Sequence, residues 1–492
     1  MGVENSGYRL KSSLLARKVH ISWLIAGASI AVIFATVLVR LVDVRVGSEA
    51  IVAAVCLLIF GLRQKNILGV GIFCTAGLLL GLYRGSTVLQ DLGQYEGYIG
   101  EQVSVVGTIS EDPGYDVDGD LKLKLKNVSV NGSTVAGELW VSSRQQLPLK
   151  RSDSIEVDGK LSKGFGSIPA ALYRSRISSI DRQDYADVAR DTRDWFADGI
   201  RESVSEPEAS LGSGFLLGQK TVLPEKLDNE LRLLGLTHIV VASGYNLSIL
   251  VRYARRLFMK VSRFASVAVS GLLVYGFANI TGFSPSMTRA SLITGLSLVA
   301  WYYGRKFHPI VLLSFSAAVT VLINPSYAWG DIGWLLSFTS FIGVIILSPL
   351  IHAYFWGNKK AGNIRQVFIE TLSAQVLTLP LIMYVFGQYS PLALLANVLV
   401  LPLIPIAMLL TFIAGIAGVA TPSIASIAGW PGETLLRYMT TVVDYLAQQP
   451  LAGQEVSLSI EFVLVGYSLL IAAIIFLWRR TGYEFRDYNI VE

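Results

Sequence analysis

Long apolar runs recur along this chain and sharply restrict how it can fold. The run from Ile21 to Val42 carries a single charged residue, Arg40, and at 1.5 Å per residue it is long enough to cross a hydrocarbon layer of about 30 Å. Of the 492 residues, 52% are hydrophobic and only 16% are charged, whereas soluble globular proteins carry about 25% charged residues. The sequence therefore excludes an ordinary soluble enzyme and predicts a polytopic α-helical membrane protein.

Further apolar segments bring the expected number of spans to about 10 to 12. Besides the first run, they are residues 49–62, 66–83, 233–251, 264–281, 288–303, 309–323, 332–352, 367–386, 391–420 and 460–478. Pro402 and Pro405 interrupt the run that begins at Pro391, so a kinked span, a re-entrant pair and a tight hairpin all fit it. Residues 432–449 are more amphipathic, which favours a place at the membrane surface.

Basic residues flank the apolar runs, and their positions predict the topology. Those that precede the first span are Arg9, Lys11, Arg17 and Lys18. By the positive-inside rule they hold the N-terminus in the cytoplasm, and three crossings then put the following polar block outside. Between Arg84 and Ser210 this block has 15 basic and 21 acidic residues, a net charge of −6, which leaves +11 for the rest of the chain.

We expect six regions in this membrane protein. They are a cytoplasmic basic tail (1–20), a three-span segment (21–83), an extracytoplasmic domain (84–182), a helical connector (183–210), a multi-span domain (211–480) and a cytoplasmic tail (481–492).

Alternating polar and apolar residues in the polar block indicate β-strands. The clearest strand is LKLKLKNVSV, in which Leu121, Leu123 and Leu125 face one way and the intervening lysines face the other. The other candidates are residues 101–110, 133–143, 154–162 and 172–180. Five strands separated by Gly, Asp, Asn and Pro turns predict a small OB-like barrel.

Polar side chains inside apolar segments mark pathways or contacts between helices, because a membrane accepts them only at a cost. The segment GLTHIVVASGYNLSILV contains His238, Ser243, Asn246 and Ser248. Its Ser243-Gly244 pair is expected to break or kink the helix. For His238 and Asn246, lining a wet pathway and hydrogen bonding between helices fit equally well.

Two charged residues stand near the entrances of spans. Arg289 follows a Gly/Pro turn, and Asp331 opens the segment GDIGWLLSF. They are able to pair, and the guanidinium group of Arg289 also suits a phosphate; for Asp331 a structural ion pair is slightly favoured. Gln375, Gln388 and Asn397 add neutral donors and acceptors, each of which alone is more typical of a structural role.

A stripe of lysines is the best candidate in the polar block for contact with a polyanion. It consists of Lys122, Lys124 and Lys126, with Lys160, Arg174 and Arg176 on neighbouring strands. A solvated strand face is the commoner meaning of such a pattern. Because the block is acidic overall, any contact with nucleic acid is expected to be local.

Catalytic and metal-binding patterns do not occur in the sequence. The histidines at positions 20, 238, 308 and 352 show no HxH or HExxH spacing, and the two cysteines, Cys56 and Cys74, lie inside apolar segments. There is no Walker A motif and no G-x-S-x-G elbow. We therefore expect neither enzymatic activity nor a cofactor or metal.

Four motifs, in this order, resemble successive blocks of the ComEC-type competence proteins. They are LLGQKTVLPEKLDNELRLLGLTHIVVASGYNLSIL, ITGFSPSMTRASL, NPSYAWGDIGWLLSF and LPLIMYVFGQYSPLALLANVLVLPLIP. The three preceding spans and the OB-like block resemble the N-terminal part of that family. Four ordered blocks are a far more specific signal than any one of them.

This resemblance implies an inner-membrane channel that passes single-stranded DNA into the cytoplasm during natural transformation. It assigns the pathway to His238, Ser243, Gly244, Arg289 and Asp331, and we add Asn246, Gln375 and Asn397 as further pathway candidates. It also implies an external DNA receptor and a helicase-like motor as partners, besides DNA and membrane lipids. The sequence leaves the oligomeric state open.

The chain departs from the family pattern in two places. Many relatives have SGLH where this chain has SGYN, with Asn246 in place of histidine, so a titrating or metal-binding role is not expected there. Many also carry a metallo-β-lactamase-like nuclease domain that we do not find after Arg480, so a separate nuclease is expected. The alternative function is transport or flipping of a lipid-linked or small anionic molecule.

Overall fold

The computed structural model describes residues 18–42, 44–64, 66–115, 119–183, 187–219, 223–240, 243–305, 308–357, 362–456 and 458–485. The expectations for Arg9, Lys11 and Arg17, and for most of the tail at 481–492, lie outside these residues. Contacts divide the described chain into two units. The first contains residues from 18 to 183 and from 308 to 335, and the second contains residues from 187 to 305 and from 336 to 485.

Helices make up most of both units. In chain order they are α1 Ile21–Val42, α2 Glu49–Gly61, α3 Ile67–Gly93, α4 Val188–Ser203, α5 Glu208–Leu217, α6 Glu225–Leu233, α7 Thr237–Val240, α8 Gly244–Phe258, α9 Arg263–Thr281, α10 Pro285–Tyr302, α11 Pro309–Ile323, α12 Ile332–Ile342, α13 Ser348–Trp356, α14 Asn363–Phe386, α15 Ala393–Val400, α16 Ile404–Ala420, α17 Ala425–Ala447 and α18 Ile460–Thr481.

Seven helical stretches among the described residues are long and apolar enough to cross a membrane. They are Ile21–Val42, Ile67–Tyr98, Arg263–Thr281, Ile332–Trp356, Ile364–Phe386, Ala393–Ala420 and Ile460–Thr481. A bent pair, α6 with the segment Thr237–Phe258, raises the number to eight. The chain is therefore a polytopic helical membrane protein, as predicted.

Fewer helices qualify as spans than the sequence predicts, because several expected spans are short, polar or broken. α2 and α11 are apolar but have only 13 and 15 residues. α10 forms over the segment expected to span and carries Arg289, yet it is not among the seven. Every segment predicted to span is nevertheless helical over most of its length.

In the first unit, α1 packs closely against α3 because glycines lie where the two helices meet. Gly77 and Gly81 of α3 contact the backbone carbonyls of Ala28 and Val32, so a side chain at either glycine would clash. α11 also packs against α1. Arg84 donates to the carbonyl oxygens of Leu322 at 2.8 Å and Ile323 at 3.0 Å, satisfying acceptors that the end of α11 leaves without intrahelical partners.

A closed five-stranded barrel forms the rest of the first unit. The strands of this region are β1 Gln102–Ile109, β2 Gly114–Tyr115, β3 Leu121–Val130, β4 Ser133–Thr134, β5 Leu139–Ser143, β6 Ser154–Lys163, β7 Ala170–Leu172 and β8 Arg176–Asp181. Pairing runs β1, β3, β5, β7, β6 and back to β1, with β8 added to β6. Among the described strands of this barrel, only the β5–β7 pair is parallel. The predicted OB-like barrel is therefore present.

The alternation in β3 has the orientation that the sequence predicts. Leu121, Leu123 and Leu125 are buried in the barrel core, whereas the lysines between and after them point outward. A side-chain period of two requires this arrangement in a strand with one face buried.

In the second unit, the proline-interrupted run at 391–420 forms one candidate span that contains a 3-10 turn. A 3-10 turn at Leu401–Leu403 joins α15 to α16, and the stretch Ala393–Ala420 qualifies as a single span. α17 packs against α16, and the residues after it return to β9 Gln388–Tyr389 through β10 Gln454–Glu455. α17, the amphipathic segment, therefore runs beside α16 and is not among the seven candidate spans.

Candidate functional sites

The SGYN motif interrupts a helix in the second unit, as its Ser-Gly pair predicts. α7 ends at Val240 and α8 begins at Gly244. Ser243 is the N-cap of α8, and its Oγ accepts a hydrogen bond from the backbone N–H of Asn246 at 3.3 Å. Serine is a favoured N-cap because it satisfies an N–H group that lacks a partner in the helix.

A larger bend, which the sequence does not predict, lies earlier in the same segment. α6 and the segment Thr237–Phe258 meet at 118°. Gly235 lies between them with φ +66°, a conformation that glycine adopts without strain and that commonly ends helices. Nδ1 of His238 lies 2.8 Å from the Gly235 carbonyl oxygen. His238 is thus an exposed residue that stabilises this bend.

Asn246 is fully buried behind the broken helix. Its Nδ2 donates to the carbonyl oxygens of Phe215 at 3.1 Å and Ile239 at 3.2 Å. Its Oδ1 accepts no hydrogen bond from the described residues. One side chain therefore holds α5 and α7 to α8 and leaves an acceptor unused.

Arg289 approaches the SGYN motif from α10. The position of a side-chain Cβ on Gly244 would lie 3.5 Å from Arg289 Nη2 and 3.0 Å from Ala290 Cβ. Glycine at 244 thus lets α8 and α10 approach each other closely. The structure brings Ser243, Gly244, Asn246 and Arg289 together, which their separation of more than forty residues in the chain does not itself reveal.

The guanidinium group of Arg289 has an electron-rich but uncharged setting. Nη1 donates to the Ser337 carbonyl oxygen. The group also lies over the rings of Phe338 and Phe341, at 5.7 Å and 5.0 Å from their centroids, a cation–π arrangement. No described carboxylate of its unit forms an ion pair with Arg289.

Gln375 and Asn397 share with Asn246 an unmatched amide oxygen. Asn397 Nδ2 donates to the Ala393 carbonyl oxygen at 2.8 Å, a bond within its own helix. The amide oxygens of Gln375 and Asn397 are buried and accept no hydrogen bond within the described part of the chain. Buried acceptors of this kind are costly in an apolar setting.

Asp331 belongs to the first unit and joins a barrel loop to the start of α12. Its Oδ1 accepts from the Trp334 backbone N–H at 2.7 Å, and its Oδ2 accepts from Ser167 Oγ at 3.2 Å. These are the contacts of a helix-capping residue. Arg40 supports the same loop by donating to the carbonyl oxygens of Trp329 at 2.9 Å and Gly166 at 3.3 Å.

The lysine stripe on β3 is partly neutralised. Lys124 Nζ lies 3.2 Å from Glu111 Oε1. Burial opposes the charge on Lys124, but Glu111 and Glu138 outweigh that effect and raise its pKa. Burial raises the pKa of Glu138 from its usual range. Lys126 is exposed and lies opposite Thr108 near the end of β1.

The other three basic residues that the sequence singles out in the barrel, Lys160, Arg174 and Arg176, form a separate exposed group. Leu161 pairs with Leu172 and Asp158 pairs with Arg176, so the segment 173–175 passes beside Lys160. Arg174 and Arg176 are also exposed. Among the described residues none of the three has an ion-pair partner, although Asp158 lies across from Arg176 on the paired strand.

Tyr173, which is half exposed, lies within this group. Lys160 pairs with Gln102 at the opposite end of β1 from Thr108. At about 3.3 Å per residue, the two basic groups are therefore separated by about 20 Å along β1.

Glu370 is a further candidate, which none of the sequence motifs contains. Residues 231–432 contain twelve Lys or Arg residues but only two acidic residues, Asp331 and Glu370. Glu370 lies inside the candidate span Ile364–Phe386 and accepts a hydrogen bond from Gln366 Nε2 at 2.9 Å. A lone carboxylate in a long apolar run was the signal that could have revealed it.

No group of three His, Cys, Asp or Glu side chains in the described ranges could hold a metal ion. The strongest arrangement is therefore electrostatic: an arginine without a carboxylate partner beside a broken helix, and a basic-aromatic group on the barrel.

Comparisons with known proteins point to one family. A family model described as "Competence protein" matches residues 215–481. ComE operon protein 3 of Bacillus subtilis (strain 168) is 25% identical over 205 residues, which cover 40% of this chain and 25% of that relative. The chain thus matches about a quarter of the length of the curated relative. No solved structure matches it.

Proposed function

The chain belongs to the competence protein family, and from that premise we propose that it forms a membrane channel for single-stranded DNA. In this proposal, DNA enters the cytoplasm through the second unit during natural transformation. The family match covers all the proposed pathway residues of that unit and also Asp331.

The observation that carries the proposal is the setting of Arg289. Its guanidinium group lies beside the interrupted helix at Gly244 and has carbonyl and aromatic partners. A phosphate is a suitable counter-ion for such a group, because guanidinium donors match phosphate oxygens. We therefore assign Arg289 to successive phosphates of the passing strand.

Neutral polar groups complete the proposed pathway. The amide oxygens of Asn246, Gln375 and Asn397 are buried without described donors, and groups of this kind are satisfied by water in a wet path. Ser243 and Gly244 form the helix break. His238 and Asp331 act at a distance from the phosphates, by holding a bend and by capping α12.

The barrel is the proposed outer contact for the strand. Lys160, Arg174 and Arg176 supply charge, and Tyr173 supplies a ring on which a base can stack. Sequence-independent binding of single strands combines these two features. Lys122, Lys124 and Lys126 contribute less, because Lys124 already contacts Glu111.

The proposal includes the cellular setting. The protein lies in the inner membrane with both termini in the cytoplasm and the barrel outside. A DNA receptor outside, a separate nuclease and a cytoplasmic helicase-like motor are its expected partners, since the sequence has no ATP-binding motif of its own.

Uptake of labelled DNA by cells that lack this gene tests the function. Surface-bound and cytoplasmic label are measured separately after nuclease treatment of intact cells. We expect DNA to bind outside without entering, and the gene restored in trans should recover entry. Normal entry in the mutant would overturn the channel and favour a carrier for a small anionic or lipid-linked molecule.

A further inference from the structure

A basic and apolar surface lies at one end of α8 and α9 in the second unit. It consists of Arg256, Leu257, Lys260, Val261, Arg263 and Phe264, and we call it the 256–264 surface. All six residues are exposed. Arg263 is the first residue of the candidate span Arg263–Thr281, so this surface lies where a membrane-spanning helix begins.

The three cations of this surface have no carboxylate partners among the described residues. Three other cations of the same unit pair with acids: Arg201 with Asp198, Lys226 with Asp444 and Arg232 with Asp228, each at 2.7 Å. The sequence explains the difference, since residues 231–330 contain no Asp or Glu at all. A cluster of unpaired cations at a membrane boundary attracts anions.

Large apolar side chains alternate with these cations. Leu257, Val261 and Phe264 are 66%, 74% and 70% exposed. Exposed apolar groups this large need an apolar partner. A free polyanion such as DNA offers phosphates without acyl chains, whereas a phospholipid offers both an anionic headgroup and hydrocarbon.

The turn that carries the surface is held in place by hydrogen bonds. The N–H groups of Val261 and Ser262 donate to the Phe258 carbonyl oxygen at 3.0 Å and 3.1 Å. Ser262 Oγ caps α9 by accepting from the Ala265 N–H at 2.9 Å, and Ser266 Oγ donates to the Arg255 carbonyl oxygen at 3.2 Å. The backbone that carries the cations is therefore held in one conformation.

Aromatic side chains accompany this end of the helices. The guanidinium group of Arg255 lies 5.2 Å from the ring centroid of Trp301, near the end of α10. Tyr303 follows and is 71% exposed. Trp and Tyr rings beside Lys and Arg are typical of the level of lipid headgroups.

We propose that the 256–264 surface binds anionic phospholipid. Arg256, Lys260 and Arg263 contact the headgroup phosphates, while Leu257, Val261 and Phe264 lie among the acyl chains. This site is independent of the DNA pathway proposed above, and its occupant is a membrane component.

Lipid counting on the purified protein tests this proposal. The full chain in detergent is titrated with phosphatidylglycerol, with phosphatidylcholine as the neutral comparison, and bound lipids are counted by native mass spectrometry. We expect Arg256→Gln with Lys260→Gln to weaken phosphatidylglycerol binding by about thirtyfold, as two charges near an anionic surface imply. Binding of phosphatidylcholine should not change.

Matched variants separate a local site from net charge and from misfolding. Arg144→Gln with Lys163→Gln removes two exposed cations from the barrel region, outside the candidate spans, and should leave phosphatidylglycerol binding intact. Arg256→Lys with Lys260→Arg keeps the charges and should also bind. If the double glutamine variant does not fold, Lys260→Gln alone should weaken binding about fivefold.

Three results would overturn the proposal. One is unchanged phosphatidylglycerol binding in the folded glutamine variants. Another is an equal loss in the Arg144 and Lys163 control, which would show an effect of net charge. The third is a selective loss of binding to a single-stranded oligonucleotide with lipid binding retained, which would assign the surface to nucleic acid.

Discussion

The barrel cations Lys124 and Arg182 have carboxylate partners, whereas Arg289 of the second unit has none among the described residues. In the barrel, Lys124 contacts Glu111 at 3.2 Å and Arg182 contacts Asp153 at 2.6 Å. In the second unit, Arg289 has a carbonyl and two phenylalanine rings as partners. Water screens an exposed charge, but a charge inside a membrane protein needs a specific partner. Arg289 is therefore the cation of the second unit that we propose contacts an anionic ligand.

Loss of the Arg289 charge should have the largest effect. Arg289→Ala is expected to lower entry of labelled DNA by about 10- to 100-fold, because a charge-assisted hydrogen bond is removed at each phosphate. Arg289→Lys should retain part of the activity, since it keeps the charge without the bidentate geometry.

An arginine of the same unit that has a carboxylate partner provides the control for Arg289. Arg232, which contacts Asp228 in the same unit, should tolerate replacement by Gln with little loss of entry. Membrane levels of all variants are compared by immunoblotting. Equal entry in the wild type and Arg289→Ala at equal protein levels would remove Arg289 from the pathway.

Within the barrel, the two basic groups should differ in their affinity for DNA. Replacing Lys160, Arg174 and Arg176 with Gln should weaken binding of a single-stranded oligonucleotide by about tenfold. It should also reduce the slope of log affinity against log salt by about 2, as three lost phosphate contacts imply. Fluorescence anisotropy at several salt concentrations measures both quantities.

Replacement of the lysine stripe provides the matched control, because it removes the same number of positive charges. Replacing Lys122, Lys124 and Lys126 with Gln should change affinity by less than about threefold, since Lys124 is already paired with Glu111. Equal losses in the two triple variants would show that the barrel responds only to net charge.

The close approach of α8 to α10 should make position 244 sensitive to any side chain. Gly244→Ala places a methyl group 3.0 Å from Ala290 Cβ, and overpacking of this kind costs about 1 to 3 kcal/mol. The variant should unfold at a lower temperature in detergent and show reduced DNA entry. A Cβ added at Gly271 in α9 would have no atom within 4 Å, so Gly271→Ala should not lower the unfolding temperature. Equal destabilisation of both variants would contradict the close approach of α8 to α10.

The smallest expected effect is a pH dependence in the barrel. Burial raises the pKa of Glu138 above its ordinary value of 4.5. The folded protein therefore binds the proton of Glu138 more tightly than the unfolded chain does. As pH rises through the folded pKa the proton is lost, and the free energy of unfolding falls. Glu138→Gln should stabilise the protein by less than about 1 kcal/mol at pH 7 to 8, and this gain should vanish below pH ~4. Thermal unfolding at both pH values tests this, and a gain that persists in acid would contradict it.

The sequence predicts more of the structure of the barrel than of the membrane site. Leu121, Leu123 and Leu125 alternate with lysines, and a period of two fixes which side chains face the core. The closure of β6 onto β1 is a contact between strands distant in sequence, which the alternation does not specify. The distance between the two basic groups of the barrel also depends on strand pairing, which the alternation does not specify.

In the membrane helices, apolar length predicts where most helices lie but not how they meet. The helix break at the Ser243-Gly244 pair is predicted correctly, because serine and glycine are local signals. The 118° bend near Gly235 and the approach of Arg289 to Gly244 depend on packing between helices. Glu370 shows that a single acidic residue in an apolar run deserves the same weight as a motif.

The most direct test of the account is crosslinking next to Arg289 during DNA entry. Phe341, whose ring centroid lies 5.0 Å from the Arg289 guanidinium carbon, is replaced with the photoreactive p-benzoylphenylalanine. Leu469, a 66% exposed residue of α18, is replaced in the same way as the comparison. The account predicts that illumination during uptake joins the entering strand to position 341 and not to position 469. No DNA adduct at position 341, or equal adducts at both positions, would contradict it.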